Sequence, residues 1–129
     1  MTQVEIFNGE VAIAKWLGYE VRLVKSHEEL FGLFFNGKRV GKCSLFETTL
    51  WPRYSTDERA FVSLLLALAE KDFHPQIVFN EFEWYCYLAN TDEVYCKRAG
   101  TPQMALFKAT LQLPQVQILL NKTTEEQSA

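Results

Sequence analysis

One ordered set of landmarks between Trp51 and Leu113 constrains the fold of this chain more than any other feature. Trp51-Pro52-Arg53-Tyr54-Ser55-Thr56-Asp57 leads into the apolar run Ala60 to Ala69. The aromatic stretch Trp84-Tyr85-Cys86-Tyr87-Leu88 follows, and Ala99-Gly100-Thr101-Pro102 opens a second apolar run. Helix signals flanking β-type stretches predict a helix, two or three antiparallel strands and another helix, which is an α+β arrangement.

The remaining elements follow from local chemistry. Asn8 can cap a short helix over Val11–Leu17 that Gly18 closes. Val21 to Val24 reads as a strand. Asn36-Gly37 lies between Leu30–Phe35 and Lys38–Phe46 and predicts a tight hairpin. Centred there, the hairpin sets Leu33 against Val40, Phe34 against Arg39 and Gly32 against Gly41. Paired glycines in a strand interior mark a bulge or a close approach of backbone or ligand. Ser55 with Glu58 fits a capping box. The helix after it is apolar nearly all round, which predicts cover on several sides and a homo-oligomer. Ile77–Phe82, Trp84–Leu88 and Glu93–Lys97 read as strands. Thr101-Pro102 starts a helix, and Val116, Ile118 and Leu120 alternate after Pro114 as a short last strand would, with an added helical turn as the alternative. One domain is expected over residues 1–121, with a flexible polar tail over 122–129.

Composition excludes several activities. The 129 residues carry 13 basic and 16 acidic side chains, for a formal net charge of -3. General nucleic-acid binding needs many phosphates neutralised and is not expected. No apolar run is long enough to span a bilayer, and Met1 to Glu5 does not open a signal peptide, so neither membrane nor secretion is expected. Cys43, Cys86 and Cys96 match no zinc or redox spacing, and His27 and His74 sit at no metal-ligand spacing. No metal or cofactor is therefore expected. Asn36-Gly37-Lys38-Arg39-Val40-Gly41-Lys42 fails as a P-loop, because Gly37 and Gly41 enclose three residues where that loop encloses four. No nucleophile–base pair is readable, so no catalytic residue is assigned and enzyme chemistry is not expected.

Candidate binding residues come from two surfaces and one cation group. A hairpin joining Trp84–Leu88 to Asp92–Lys97 through Ala89-Asn90-Thr91 pairs Tyr85 with Tyr95 and Tyr87 with Glu93. That register gathers Tyr85, Tyr87 and Tyr95 on one face and Cys86 with Cys96 on the other. Tyrosines among charges suit recognition, because each buries a large ring and keeps a polar tip. Arg53 and Tyr54 sit in a loop before a helix, where binding groups gain a rigid base. Lys38, Arg39 and Lys42 would assist an anionic ligand.

The order of Ile13-Ala14-Lys15-Trp16-Leu17-Gly18, Tyr54-Ser55-Thr56-Asp57, Trp84-Tyr85-Cys86-Tyr87-Leu88 and Ala99-Gly100-Thr101-Pro102, with Ala105-Leu106 and Lys108-Ala109 beyond, resembles the small bacteriophage proteins of the phage ABA sandwich domain family. The resemblance implies a three-layer α-β-α sandwich with a mainly antiparallel sheet. It also implies a phage or prophage protein acting in the host bacterial cytoplasm, and it brings no catalytic residues. Two functional readings stand side by side. One is a non-catalytic accessory protein that binds a host or phage protein. The other is a protein that binds and sequesters a small anionic ligand, such as a nucleotide signal of bacterial defence.

Overall fold

The computed structural model describes residues 1–25, 30–43, 48–49 and 51–128. His27 lies outside the described residues. In chain order the elements are α1 (Gln3–Trp16), β1 (Glu20–Lys25), β2 (Leu30–Phe35), β3 (Lys38–Cys43), β4 (Thr48–Thr49), α2 (Glu58–Glu70), β5 (Gln76–Asn80), β6 (Glu83–Ala89), β7 (Val94–Ala99), α3 (Pro102–Thr110) and α4 (Pro114–Ser128). The fold is α+β. The strands form two antiparallel sheets, ordered β1-β2-β3-β4 and β5-β6-β7.

Helix α1 begins well before Asn8. The Thr2 hydroxyl accepts from the Glu5 N–H at 3.1 Å, and the Glu5 carboxylate accepts from the Thr2 N–H at 3.1 Å, a complete capping box. Asn8 is then an interior residue, and every residue from Asn8 to Ala14 is buried. A helix covered all round over two turns lies at the centre of the molecule. It packs along α4 and against β1. Gly9 lets it approach α3, since a Cβ there would stand 2.7 Å from Phe107 Cζ. Ile13, Leu64, Leu68, Leu88, Leu106, Phe107, Leu113 and Val116 are fully enclosed and join α1, α2, β6, α3 and α4 in one core.

Helix α2 starts two residues later than its Ser55 signal suggests. Asp57 is the cap, accepting from the Arg59 N–H at 3.0 Å. The Ser55 hydroxyl is used elsewhere. Ala60, Leu64 and Leu68 form the buried stripe, while Val62 and Leu66 are 52% and 62% exposed. The covered face is thus one stripe within the chain, and the opposite apolar side is open.

The first hairpin turns where expected, with Asn36 at φ 52° and Gly37 at φ 80°. Its register slips at Val40, so Leu33 faces Gly41 and Gly32 faces Lys42. The paired-glycine position of the regular register is replaced by a bulge. Phe34 against Arg39 holds.

The β6–β7 hairpin differs by three residues from the expected register. Tyr85 faces Arg98, Tyr87 faces Cys96 and Leu88 faces Tyr95. The loop is Asn90 to Glu93, because the Asn90 carboxamide oxygen accepts from the N–H groups of Asp92 at 2.9 Å and Glu93 at 2.7 Å. An odd shift exchanges the faces of the second strand. Tyr95 therefore joins Cys86 and Leu88 on the core side, and its hydroxyl hydrogen-bonds Glu93. Cys96 leaves that side and is exposed, while Cys86 is buried; the two thiols are free and on opposite faces.

The alternation Val116, Ile118, Leu120 does not make a strand. Pro114 opens α4 instead, with Val116 and Thr123 buried and Leu119 and Leu120 packed on the core. That spacing is helical. The residues expected as a polar tail continue α4 to Ser128, and Lys15 donates to the Thr123 hydroxyl at 3.5 Å.

Candidate functional site

The Trp51–Ser55 loop is docked onto α1 through a buried carboxylate. Arg53 Nη1 donates to Glu10 Oε1 at 3.3 Å, and the Ser55 hydroxyl donates to Glu10 Oε2 at 3.3 Å. The Glu10 side chain is 0% exposed and that of Arg53 35%. Burial raises the Glu10 pKa from 4.5 to about 7, against the opposing pull of Arg53 and Ser55. Desolvation therefore outweighs the ion pair here. Tyr54 is buried beside them, and its phenol is pushed well above its ordinary value, first by burial and then by the neighbouring Tyr19 and Glu10. Trp51 stacks on Phe7 with ring centroids 5.8 Å apart. Arg53 and Tyr54 are thus anchors of the loop, with only Arg53 partly at the surface.

A second cluster forms at the free edge of the β5-β6-β7 sheet. An open cleft of about 610 Å³ is lined by Tyr85, Lys97, Arg98, Lys108, Leu111 and Met1, with Cys96 and Gln112 completing it. Among the described residues three basic side chains line it and no carboxylate does, in a chain of net charge -3. Such a local inversion of charge concentrates anions. Tyr85 and Glu83 beside Arg98 hold its guanidinium pKa above the usual value. Arg98 Nε lies 3.5 Å from Glu83 Oε2, near enough for an ion pair but not for a good hydrogen bond, and both side chains are substantially exposed. Glu83 Oε2 itself is enclosed and accepts no hydrogen bond from the described residues. The Cys96 thiol beside Tyr87 pushes the Tyr87 phenol upward.

The residues read from the sequence are therefore distributed over three places. Arg53 and Tyr54 sit at Glu10. Tyr85 and Tyr87 share the outer face of the second sheet, and only Tyr85 reaches the cleft. Tyr95 is on the core side. Lys38 and Arg39 are exposed at the start of β3 in the other sheet and do not line the cleft, and Lys42 pairs by backbone with Gly32 and Thr49. In that sheet the Arg22 guanidinium lies 3.7 Å from the Phe34 ring centroid while its Nε contacts Glu20 at 2.9 Å. Sequence reasoning missed Glu10, Lys97, Arg98 and Lys108. Glu10 was detectable as a carboxylate set among Ile6, Ile13 and Ala14 at helical spacing. Lys97 and Arg98 required the correct register.

Among the described residues, no group of three or more His, Cys, Asp or Glu is placed to hold a metal ion. None of the described helices is long and apolar enough to cross a membrane. No family model, no curated protein and no solved structure matches the chain.

Proposed function

We propose that this is a non-catalytic binding protein whose cleft at the β7 edge takes a small anionic ligand with a flat ring, of the nucleotide class. The observation that supports it is the grouping of Tyr85 with Lys97, Arg98 and Lys108 around one open cleft that no carboxylate of the described residues lines. A base would stack on the Tyr85 ring, and its phosphates would lie among the three cations. The resemblance of its landmark order to that of phage ABA sandwich proteins supports a phage or prophage accessory role in the host bacterial cytoplasm, where sequestering a nucleotide signal would be useful to a phage.

The test is calorimetry of the purified chain with nucleoside mono-, di- and triphosphates and cyclic dinucleotides. Binding of at least one, weakened tenfold or more by Arg98→Ala or Lys108→Ala with unchanged melting temperature, is the expected result. Absence of binding across the panel, or variants that bind as the parent does, overturns the reading. The open Val62/Leu66 side of α2 favours a second reading, a host or phage protein docked on that helix. Leu66→Lys would then abolish the capture of a partner that the parent protein retains.

A further inference from the structure

We infer that β5 is a homodimer interface, joining two copies edge to edge into one continuous six-stranded sheet. In the β5-β6-β7 sheet both outer strands have an edge that no described strand pairs with, and the two edges are built differently. β7 carries Lys97 and Arg98, charges of the kind that deter edge pairing. β5 is Gln76-Ile77-Val78-Phe79-Asn80, with no charged residue and no bulge in its pairing with β6. Four of its five residues are exposed, so none of the described elements covers it. Val78 is 40% exposed and Phe79 57%, and the adjoining turn leaves Phe82 at 91%.

The hydrogen-bonding phase of β5 follows from its turn. Asn80 pairs with Glu83 across the two-residue turn Glu81-Phe82, whose φ values are 51° and 70°. Residues that close such a turn are a hydrogen-bonded pair, and the pattern alternates from there. Asn80, Val78 and Gln76 thus spend their backbone groups on β6, while Ile77 and Phe79 direct theirs outward. A second β5, antiparallel and centred on Val78, brings Ile77 of each copy opposite Phe79 of the other. Each of these two pairs exchanges both N–H···O=C bonds, so four backbone hydrogen bonds form.

The side chains agree with that register. Ile77 and Phe79 share the face that carries Trp84 and Cys86, and Phe79 already packs on Trp84 with centroids 5.0 Å apart. The symmetric pairing extends this apolar row across both copies. On the other face Val78 meets its own counterpart, and Gln76 meets Asn80, amide against amide. No charge faces a like charge anywhere in the junction. A strand that is complementary to itself in hydrogen-bond phase, side-chain type and charge selects a second copy of this chain as its occupant. The cleft lies at the opposite edge of the sheet, so this interface and ligand binding fail or stand separately.

Light scattering during size-exclusion chromatography at tens of micromolar should give twice the 15.0 kDa chain mass. Val78→Lys sets two ammonium groups directly opposite each other and should raise the dimer dissociation constant at least tenfold. Leu66→Lys, on α2, should leave the dimer intact. Hydrogen exchange of the unaltered chain provides a readout independent of how the variant folds. The Ile77 and Phe79 amides should be protected at high concentration and lose that protection on dilution. A monomeric mass, a folded Val78→Lys protein that remains dimeric, loss of the dimer in Leu66→Lys, or concentration-independent exchange at Ile77 and Phe79 overturns the inference.

Discussion

Glu10 makes the stability of this protein depend on pH in a direction opposite to that of most paired carboxylates. Its pKa is about 7 in the folded chain against 4.5 as the ordinary value. Between those values the folded state holds a proton that the unfolded chain has released. The contribution of protonated Glu10 is therefore complete below about pH 4.5, declines as pH rises, and is gone above about pH 7. At 1.36 kcal/mol per unit of pKa difference, the loss is about 3 kcal/mol across that window. For a chain of this size that corresponds to roughly 10 °C in Tm. The assay is urea denaturation of the parent and Glu10→Gln proteins at intervals from pH 5 to pH 8. Glutamine keeps the shape, its one carbonyl oxygen can accept from Arg53 while its NH2 donates to the Ser55 hydroxyl oxygen, and it cannot titrate. The parent should lose stability relative to Glu10→Gln as pH rises, with the difference between the curves changing by about 3 kcal/mol. Parallel curves for the two proteins would refute the reasoning, since Glu10 would then titrate alike in both states.

Four further outcomes test the packing. Leu64→Ala should cost about 2–5 kcal/mol, while Leu66→Ala, one half-turn away and 62% exposed, should stay within about 0.5 kcal/mol in the same denaturation assay. Asp57→Ala should cost about 1 kcal/mol as a lost helix cap. Gly9→Ala should lower the unfolding midpoint, because a Cβ 2.7 Å from the enclosed Phe107 ring costs about 1–3 kcal/mol against a gain in helix propensity of about 1 kcal/mol. A thiol reagent should modify Cys96 in the native protein and Cys86 only on unfolding, since Cys86 is buried and burial raises its pKa to about 12.

The α+β class was legible because strong local signals agree with the final packing. Thr101-Pro102 caps α3 and Asn36-Gly37 turns the first hairpin, each by chemistry contained within a few residues. Two features were illegible for a common reason: the local pattern supports two arrangements at once. Val116, Ile118 and Leu120 alternate, yet Val116, Leu119, Leu120 and Thr123 recur at helical spacing, and contact with α1 selects the second. In β7 the interleaving of Val94, Tyr95, Cys96 and Lys97 leaves either face credible. The decision falls to the Asn90 side chain, which closes a four-residue loop by accepting from two backbone N–H groups.

That single loop residue also explains why the candidate site was assembled incorrectly. With three loop residues, Tyr95 would join Tyr85 on a tyrosine face and Lys97 would pair with Glu83. With four, Arg98 arrives opposite Tyr85, and the tyrosine face becomes a ring beside a guanidinium. The same shift fixes which charges lie on the free edge of β7, and so distinguishes that edge from the uncharged edge of β5. The environment of Glu10 was hidden for a different reason. Its partner Arg53 is 43 residues away, and a distance of that kind is set by tertiary packing alone. A buried carboxylate on a central helix signals that a partner exists, but no periodicity says where. One three-stranded sheet thus presents a charged edge, where an anionic ligand would bind, and an uncharged edge, where a second copy would pair. The number of residues in the β6–β7 loop decides the first, and the neutrality of Gln76–Asn80 decides the second.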